Sequence, residues 1–250
     1  MATDDATTTP PPAPATAGDP ATASPAALAL ARRVAAEALG TGALVATVVG
    51  SGIMASRLSP GDVGLQLLEN ALATGFVLAV IIAVLGPVSG AHLNPVVSVL
   101  DAIIGGRPWR DVAAYLPAQV VGGIGGAIVA NLMFGDPAVS ISTTDRLTPA
   151  TAFAEVVATA GLVTVIFVLV RLDRAALVAP AVGAYIAGAY FLTSSTSFAN
   201  PAVTVGRIFS DSFAGIAPGS APGFLLAQVA GAALGLGVVL LVTPRARRAA

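Results

Sequence analysis

From residue 34 onward the chain is a succession of long apolar runs that offer no polar face to water, interrupted by short polar stretches. Six runs, at residues 34–55, 68–85, 112–133, 151–172, 175–193 and 223–242, each come close to the ~20 residues that ~30 Å of hydrocarbon requires. Each therefore predicts a helix that crosses a bilayer. Two further apolar connections, between the second and third runs and between the fifth and sixth, are too long for plain loops and too short to cross. They read SGAHLNPVVSVLDAII from Ser89 and SFANPAVTVGRIF from Ser197, and predict segments that enter the membrane from opposite sides and turn back.

The arginines orient these spans. Nine of the twelve basic residues, Arg32, Arg33, Arg107, Arg110, Arg171, Arg174, Arg245, Arg247 and Arg248, fall on one side if both termini share it, and an excess of positive charge marks the cytoplasmic side. Both termini are therefore expected in the cytoplasm of a multi-pass protein of the cell membrane. Residues 1–25 are Ala, Thr and Pro with three Asp and no bulky apolar residue after Met1, a composition expected to form a disordered tail rather than a secretory signal. Residues 246–250 are expected to form a short cytoplasmic tail.

The two halves repeat each other. AEALGT around Glu37 matches AEVVAT around Glu155, LNPVV at Asn94 matches ANPAV at Asn200, and AQVVGG at Gln119 matches AQVAGA at Gln228, at separations of 118, 106 and 109 residues. Three spans per half make the second copy (about 150–243) upside down relative to the first (about 32–134). Inverted repeats of this kind place the functional site between the halves, near the midplane.

Asn is a strong helix N-cap and Pro suits the first helical position, so Asn94-Pro95-Val96 and Asn200-Pro201-Ala202 each predict the start of a short helix inside the membrane. Non-helical backbone is tolerated there only where it is buried in protein or lines an aqueous cavity. The carbonyls of Gly90, Ala91 and His92, and of Ser197, Phe198 and Ala199, are therefore expected to form a ladder of acceptors. If each Asn oxygen caps its own helix, toward the N–H of Val97 or Val203, its NH2 is left to donate to a passing solute. Two half-helix N-termini facing each other, each worth roughly half a positive charge, oppose cations and admit neutral molecules with lone pairs.

Composition narrows the partners. The chain is 56% hydrophobic and 10% charged, with a net charge of −1, and every basic residue is Arg. A soluble domain carries about 25% charged residues. No basic footprint for nucleic acid exists, the absence of Cys removes thiolate chemistry, and one His cannot build a metal site, so no metal or cofactor is expected. No Ser-Lys or His-Asp pairing, paired aspartates or metal-ligand cluster suggests an enzyme.

The paired Asn-Pro motifs, the preceding SGAHLNP, the Glu-x-x-Gly/Ala-Thr opening each half and the AQV-x-G of the third and sixth spans resemble the major intrinsic protein family of aquaporins and glycerol channels, over nearly all of residues 32–242. The resemblance implies an all-α membrane protein of six transmembrane helices and two re-entrant half-helices, a channel domain over residues 26–245, and a homotetramer with one pore per subunit. It implies that Glu37 and Glu155 accept hydrogen bonds from the re-entrant backbone, against a reading of them as proton relays. It also implies an outer constriction, which the family's spacing from Asn94 and Asn200 carries to Thr74, Gly188, Ser197 and Val203. Many members hold an Arg where Val203 stands. Four small or modest residues predict a wide, weakly polar filter that passes water, glycerol, urea and neutral metalloid acids such as protonated arsenite or antimonite.

Several residues keep two readings. Arg207 lies four residues beyond Val203, on the same helical face, and either guards the vestibule or simply pairs with Asp211 or caps nearby carbonyls. His92 packs the loop or gates it with pH. Val96 replaces the usual Ala of the first motif and adds bulk where the half-helices meet. Asp101, Arg107, Arg110 and Asp111 are expected to form a solvated or ion-paired collar. The rival to a channel is an ion-coupled secondary transporter, which would have only Glu37 and Glu155 to couple with.

Overall fold

The computed structural model describes residues 25–104 and 106–243, and these are all helix and connection. The expected tails at residues 1–25 and 246–250 lie, except for Pro25, outside the described residues. The helices are α1 (Pro25–Leu58), α2 (Val63–Ser89), α3 (Pro95–Ile103), α4 (Trp109–Met133), α5 (Pro149–Arg171), α6 (Val178–Leu192), α7 (Pro201–Gly206) and α8 (Ala221–Val242). Short 3-10 turns precede α6 at Ala175–Leu177 and follow α7 at Arg207–Phe209. Among the described residues six helices are long and apolar enough to cross a membrane, and they coincide with the six expected runs. α1 begins nine residues before its apolar run because Arg32 and Arg33 end the hydrophobicity without ending the helix, and Arg33 instead pairs with Asp111 at 2.8 Å.

The inverted repeat is visible in the packing. α1 lies against α2 and α4, α5 lies against α6 and α8, and α2 meets α6 across the middle. Each half-helix also crosses into the other repeat, α3 onto α8 and α7 onto α4. Side-chain character is reversed relative to a water-soluble protein. Large apolar residues such as Leu241, Leu226, Phe76 and Phe153 stand exposed on the outside, while Glu37, Glu155, Gln119 and Gln228 are completely buried.

Glycine sets how closely the paired helices approach. A Cβ added at Gly126 would sit 2.1 Å from the Gly42 carbonyl oxygen, and one at Gly235 would sit 2.7 Å from that of Ala160. These contacts join α1 to α4 and α5 to α8 at equivalent places in the two repeats. Without a hydrophobic driving force between helices in lipid, such close backbone packing is the main source of association.

Candidate functional site

Both half-helices begin as the Asn-Pro pattern dictates. Asn94 and Asn200 are extended N-caps with φ of −153° and −157°, each followed by Pro at the first helical position. The Asn94 Oδ1 accepts from the Val96 N–H at 3.1 Å, and the Asn200 Oδ1 accepts from those of Ala202 and Val203 at 2.9 and 3.3 Å. In the first motif the cap therefore falls on Val96 rather than Val97. The freed amide groups are half used. Asn94 Nδ2 donates to the Ala199 carbonyl at 2.8 Å and Asn200 Nδ2 donates to that of Leu93 at 2.7 Å, which leaves each Asn one N–H for another acceptor.

The backbone leading into each half-helix is folded by the same device twice. Ala91 and Leu93 in the first repeat, and Ser197 and Ala199 in the second, have φ between 45° and 53°, the left-handed region, at three and one residues before each Asn. Each such residue costs about 1–2 kcal/mol. Glu37 and Glu155 offset that cost. Glu37 accepts from the N–H groups of His92 and Leu93 at 3.0 and 2.6 Å, from Ser89 Oγ at 2.6 Å and from Gln119 Nε2 at 2.8 Å. Glu155 accepts from Phe198 and Ala199 N–H, both at 2.9 Å, and from Ser195 Oγ and Gln228 Nε2, both at 2.7 Å. Four donors converge on each carboxylate, the pattern of an ionised acceptor, and bonds of this kind contribute about 1.5–3 kcal/mol each. Gln119 and Gln228 also donate to Ser98 Oγ and Thr204 Oγ1, tying each carboxylate to the adjacent half-helix. The AQV repeat in the sequence carried this brace as a match between halves, without a role.

Between the half-helices and the long helices runs one cavity, which reaches to both sides of the asparagine pair. Leu44, Val48, Leu78, Leu162, Ile166, Val182 and Ile186 form an apolar wall. A polar strip opposite it contains Gly90, Ala91, His92, Asn94, Ser197, Phe198 and Asn200. Among the described residues no protein donor is bonded to the carbonyls of Gly90, Ala91, His92, Ser197 or Phe198. Ala199 departs from the expected ladder, because its carbonyl is taken by Asn94 and the residue does not line the cavity. The cavity offers about 90 Å³ to the centres of water-sized molecules, against roughly 10–15 Å³ for one water. The cavity therefore has room for several waters.

The expected constriction is partly rearranged. Thr74, Ser197 and Val203 line the cavity. Gly188 does not: it is exposed on the outward face of α6, and a Cβ there would meet nothing within 4 Å. Helical period is the reason, since Val178, Val182, Ile186 and Tyr190 recur every four residues on the inward face and position 188 points away from them. The residue that lines the cavity at this end of α6 is Tyr190, whose hydroxyl donates to Thr74 Oγ1 at 3.2 Å. Family spacing points to Gly188, two residues before the α6 side chain that lines the cavity at this end. Arg207 also lines the cavity and is buried, with its guanidinium carbon 3.4 Å from the centre of the Phe198 ring and its Nε donating to the Ala214 carbonyl. It does not pair with Asp211, which instead accepts from Thr143. Val96 packs with Val163, Phe167 and Ala232 of α5 and α8, so its extra bulk is absorbed away from the cavity.

At the end of the first half-helix the expected collar is ion-paired. His92 Nε2 lies 3.1 Å from Asp101 Oδ2, Arg107 Nε lies 3.5 Å from the same oxygen, and Arg107 Nη2 donates to the Ser89 carbonyl at 2.8 Å. The other ring nitrogen of His92 meets Ser98 Oγ at 3.1 Å, so both nitrogens are engaged in holding the loop. Burial opposes ionisation of Asp101, but the hydrogen bond and charge of His92, with the Arg107 charge, outweigh it and hold the carboxyl below the ordinary aspartate range.

An inverted pair of three-helix repeats, with two half-helices meeting cap to cap beside a cavity that reaches to both sides of them, defines a membrane channel fold. Comparison with known proteins agrees. Residues 25–192 match the major intrinsic protein family model. Aquaglyceroporin AqpS of Rhizobium meliloti is 49% identical over 218 residues, 87% of this chain and 93% of that protein. A probable glycerol uptake facilitator protein of Thermotoga maritima is 37% identical over 101 residues, 40% of this chain and 42% of that one. The X-ray structure of the aquaglyceroporin from Plasmodium falciparum has the same fold, with a TM-score of 0.64 and 24% identity over 85% of this chain and 95% of that one. The chain belongs to the major intrinsic protein family, and is a multi-pass membrane channel rather than an enzyme.

Proposed function

We infer that this protein is a passive channel for small uncharged, hydrogen-bonding solutes: water, glycerol and urea, with protonated arsenite and antimonite as further candidates. One observation carries the reading. A single cavity passes both asparagines, each with an amide N–H to spare, between an apolar wall and a strip of free carbonyls. A solute with hydroxyl groups exchanges bonds along the strip while its carbon skeleton rests on the opposite wall. Cations gain no compensation for lost hydration at the half-helix starts, where both dipoles turn positive ends inward. The names of the relatives, aquaglyceroporin and glycerol uptake facilitator, support glycerol among the solutes. The bulk of Tyr190 argues for a filter narrower than four small residues would make.

The transporter alternative loses its coupling groups, because all four hydrogen-bond positions on Glu37 and on Glu155 are filled by protein donors. We further infer a homotetramer with both termini in the cytoplasm, on the family pattern and the arginine distribution. Stopped-flow swelling of proteoliposomes tests the function. Glycerol and urea should enter downhill, in proportion to their gradient, with no response to imposed proton or sodium gradients. Vesicles that pass water but exclude glycerol, urea and arsenite alike would overturn the solute assignment, and gradient-driven accumulation would overturn the channel.

A further inference from the structure

The usual filter arginine is missing at position 203, yet a buried arginine stands in the wall of the same end of the cavity. Arg207 opens the turn that follows α7, one helical turn beyond Val203, and is 3% exposed. Its Nε is bonded to the Ala214 carbonyl and its plane lies against Phe198, but among the described residues no carboxylate pairs with it and its two Nη groups have no protein acceptor. In the same wall Ser197 Oγ is buried with no hydrogen-bond partner. Two sets of unspent polar groups thus line the same cavity as Tyr190.

The arginine is held in place. Arg146, from the connection before α5, lies on the same Phe198 ring at 5.7 Å and donates to the Phe213 and Gly215 carbonyls at 2.7 and 2.5 Å. Three successive carbonyls, of Phe213, Ala214 and Gly215, are therefore gripped by two arginines. A guanidinium fixed by backbone and ring rather than by a carboxylate keeps its positive charge for whatever enters the cavity.

We propose that Arg207 is the selectivity cation of this channel, supplied from one turn beyond the Asn-Pro helix start in place of the arginine absent at position 203. With Tyr190 it sets the size limit, and with Ser197 it requires a permeant that presents an acceptor oxygen; positive ions are repelled. The assignment rests on the reading of the cavity as a conducting pore. Arg146 acts as a positioning residue, through Phe198 and the 213–215 segment.

Water, glycerol, meso-erythritol and potassium fluxes into proteoliposomes test it. Wild-type vesicles silent to every solute would sink the pore reading itself, before any variant is compared. Given conduction, Arg207→Gln should raise the erythritol-to-glycerol ratio by about tenfold, the scale on which one carbon unit is discriminated. An unchanged ratio in a water-conducting Arg207→Gln overturns the proposal. Should that variant fail to conduct water, Ser197→Asp decides, since it leaves both anchors of Arg207 intact and sets a carboxylate in the same cavity wall. A potassium leak at neutral pH that closes on acidification is the expected result, and its absence overturns the assignment.

Discussion

Asn94 and Asn200 reach past each other at the centre of the molecule, each giving one amide hydrogen to the backbone residue that precedes the other: Asn94 to the Ala199 carbonyl at 2.8 Å, Asn200 to the Leu93 carbonyl at 2.7 Å. The two repeats are thereby locked in register where a solute must pass. The same residue type caps the helix, joins the halves and keeps one donor free. Few side chains other than a primary amide can do all three.

Replacing Asn200 by Asp should therefore separate these roles. The carboxylate still caps Ala202 and Val203, but it cannot donate to Leu93 and it puts a negative charge between the half-helices. Solute flux should fall while proton or potassium leak rises, as read by a pH-sensitive dye and a potassium electrode. Unchanged flux with no leak would refute a central role for the amide.

Glu155→Gln should destabilise the fold. The new amide turns an NH2 toward donors that lose their acceptor, at about 1–3 kcal/mol for each one stranded. Thermal unfolding in detergent should show a clear drop, with a matching effect for Glu37→Gln. Were either variant as stable as wild type, the carboxylates would not be what holds the left-handed backbone.

Large side chains at the two α6 positions should have opposite consequences. Gly188→Phe, on the outward face, should leave water and glycerol permeability within about twofold of wild type, in keeping with the small effect of most surface changes. Tyr190→Ala removes bulk beside Thr74 and should admit longer polyols. The reverse outcome, a block at 188 and no effect at 190, would restore the family-spaced constriction.

Acidification should loosen the collar around Asp101. Its carboxyl is held below the ordinary range, so the stability it contributes is complete above the unfolded aspartate value and is lost as pH falls through the lower folded one, a window below about 4. Detergent-solubilised wild type should lose stability there, and Asp101→Asn should lack that component. Equal acid sensitivity in both would assign the loss to other groups.

Gly126→Val should separate α1 from α4, because its first carbon alone would lie 2.1 Å from the Gly42 carbonyl oxygen. Overpacking of this kind costs about 1–3 kcal/mol or more. Reduced yield of folded protein and a lower unfolding temperature are expected, whereas Gly125→Val, with open space at its Cβ, should be tolerated.

The sequence by itself determined the six spans, the inverted repeat, the two half-helices and the identity of Asn94, Asn200, Glu37 and Glu155, because apolar run length, helix capping and internal repetition are local properties of the chain. It could not decide which face of α6 turns inward. That depends on how α2 and α6 pack across the middle, and a step of two residues along a helix carries a side chain to the opposite side of the axis, exchanging Gly188 for Tyr190. Nor could it place Arg207, whose nearest charged neighbour in sequence is Asp211 but whose anchors are the Phe198 ring and the Ala214 carbonyl. The donors that converge on Glu37 come from residues up to 82 positions away, and only tertiary packing brings them to one carboxylate.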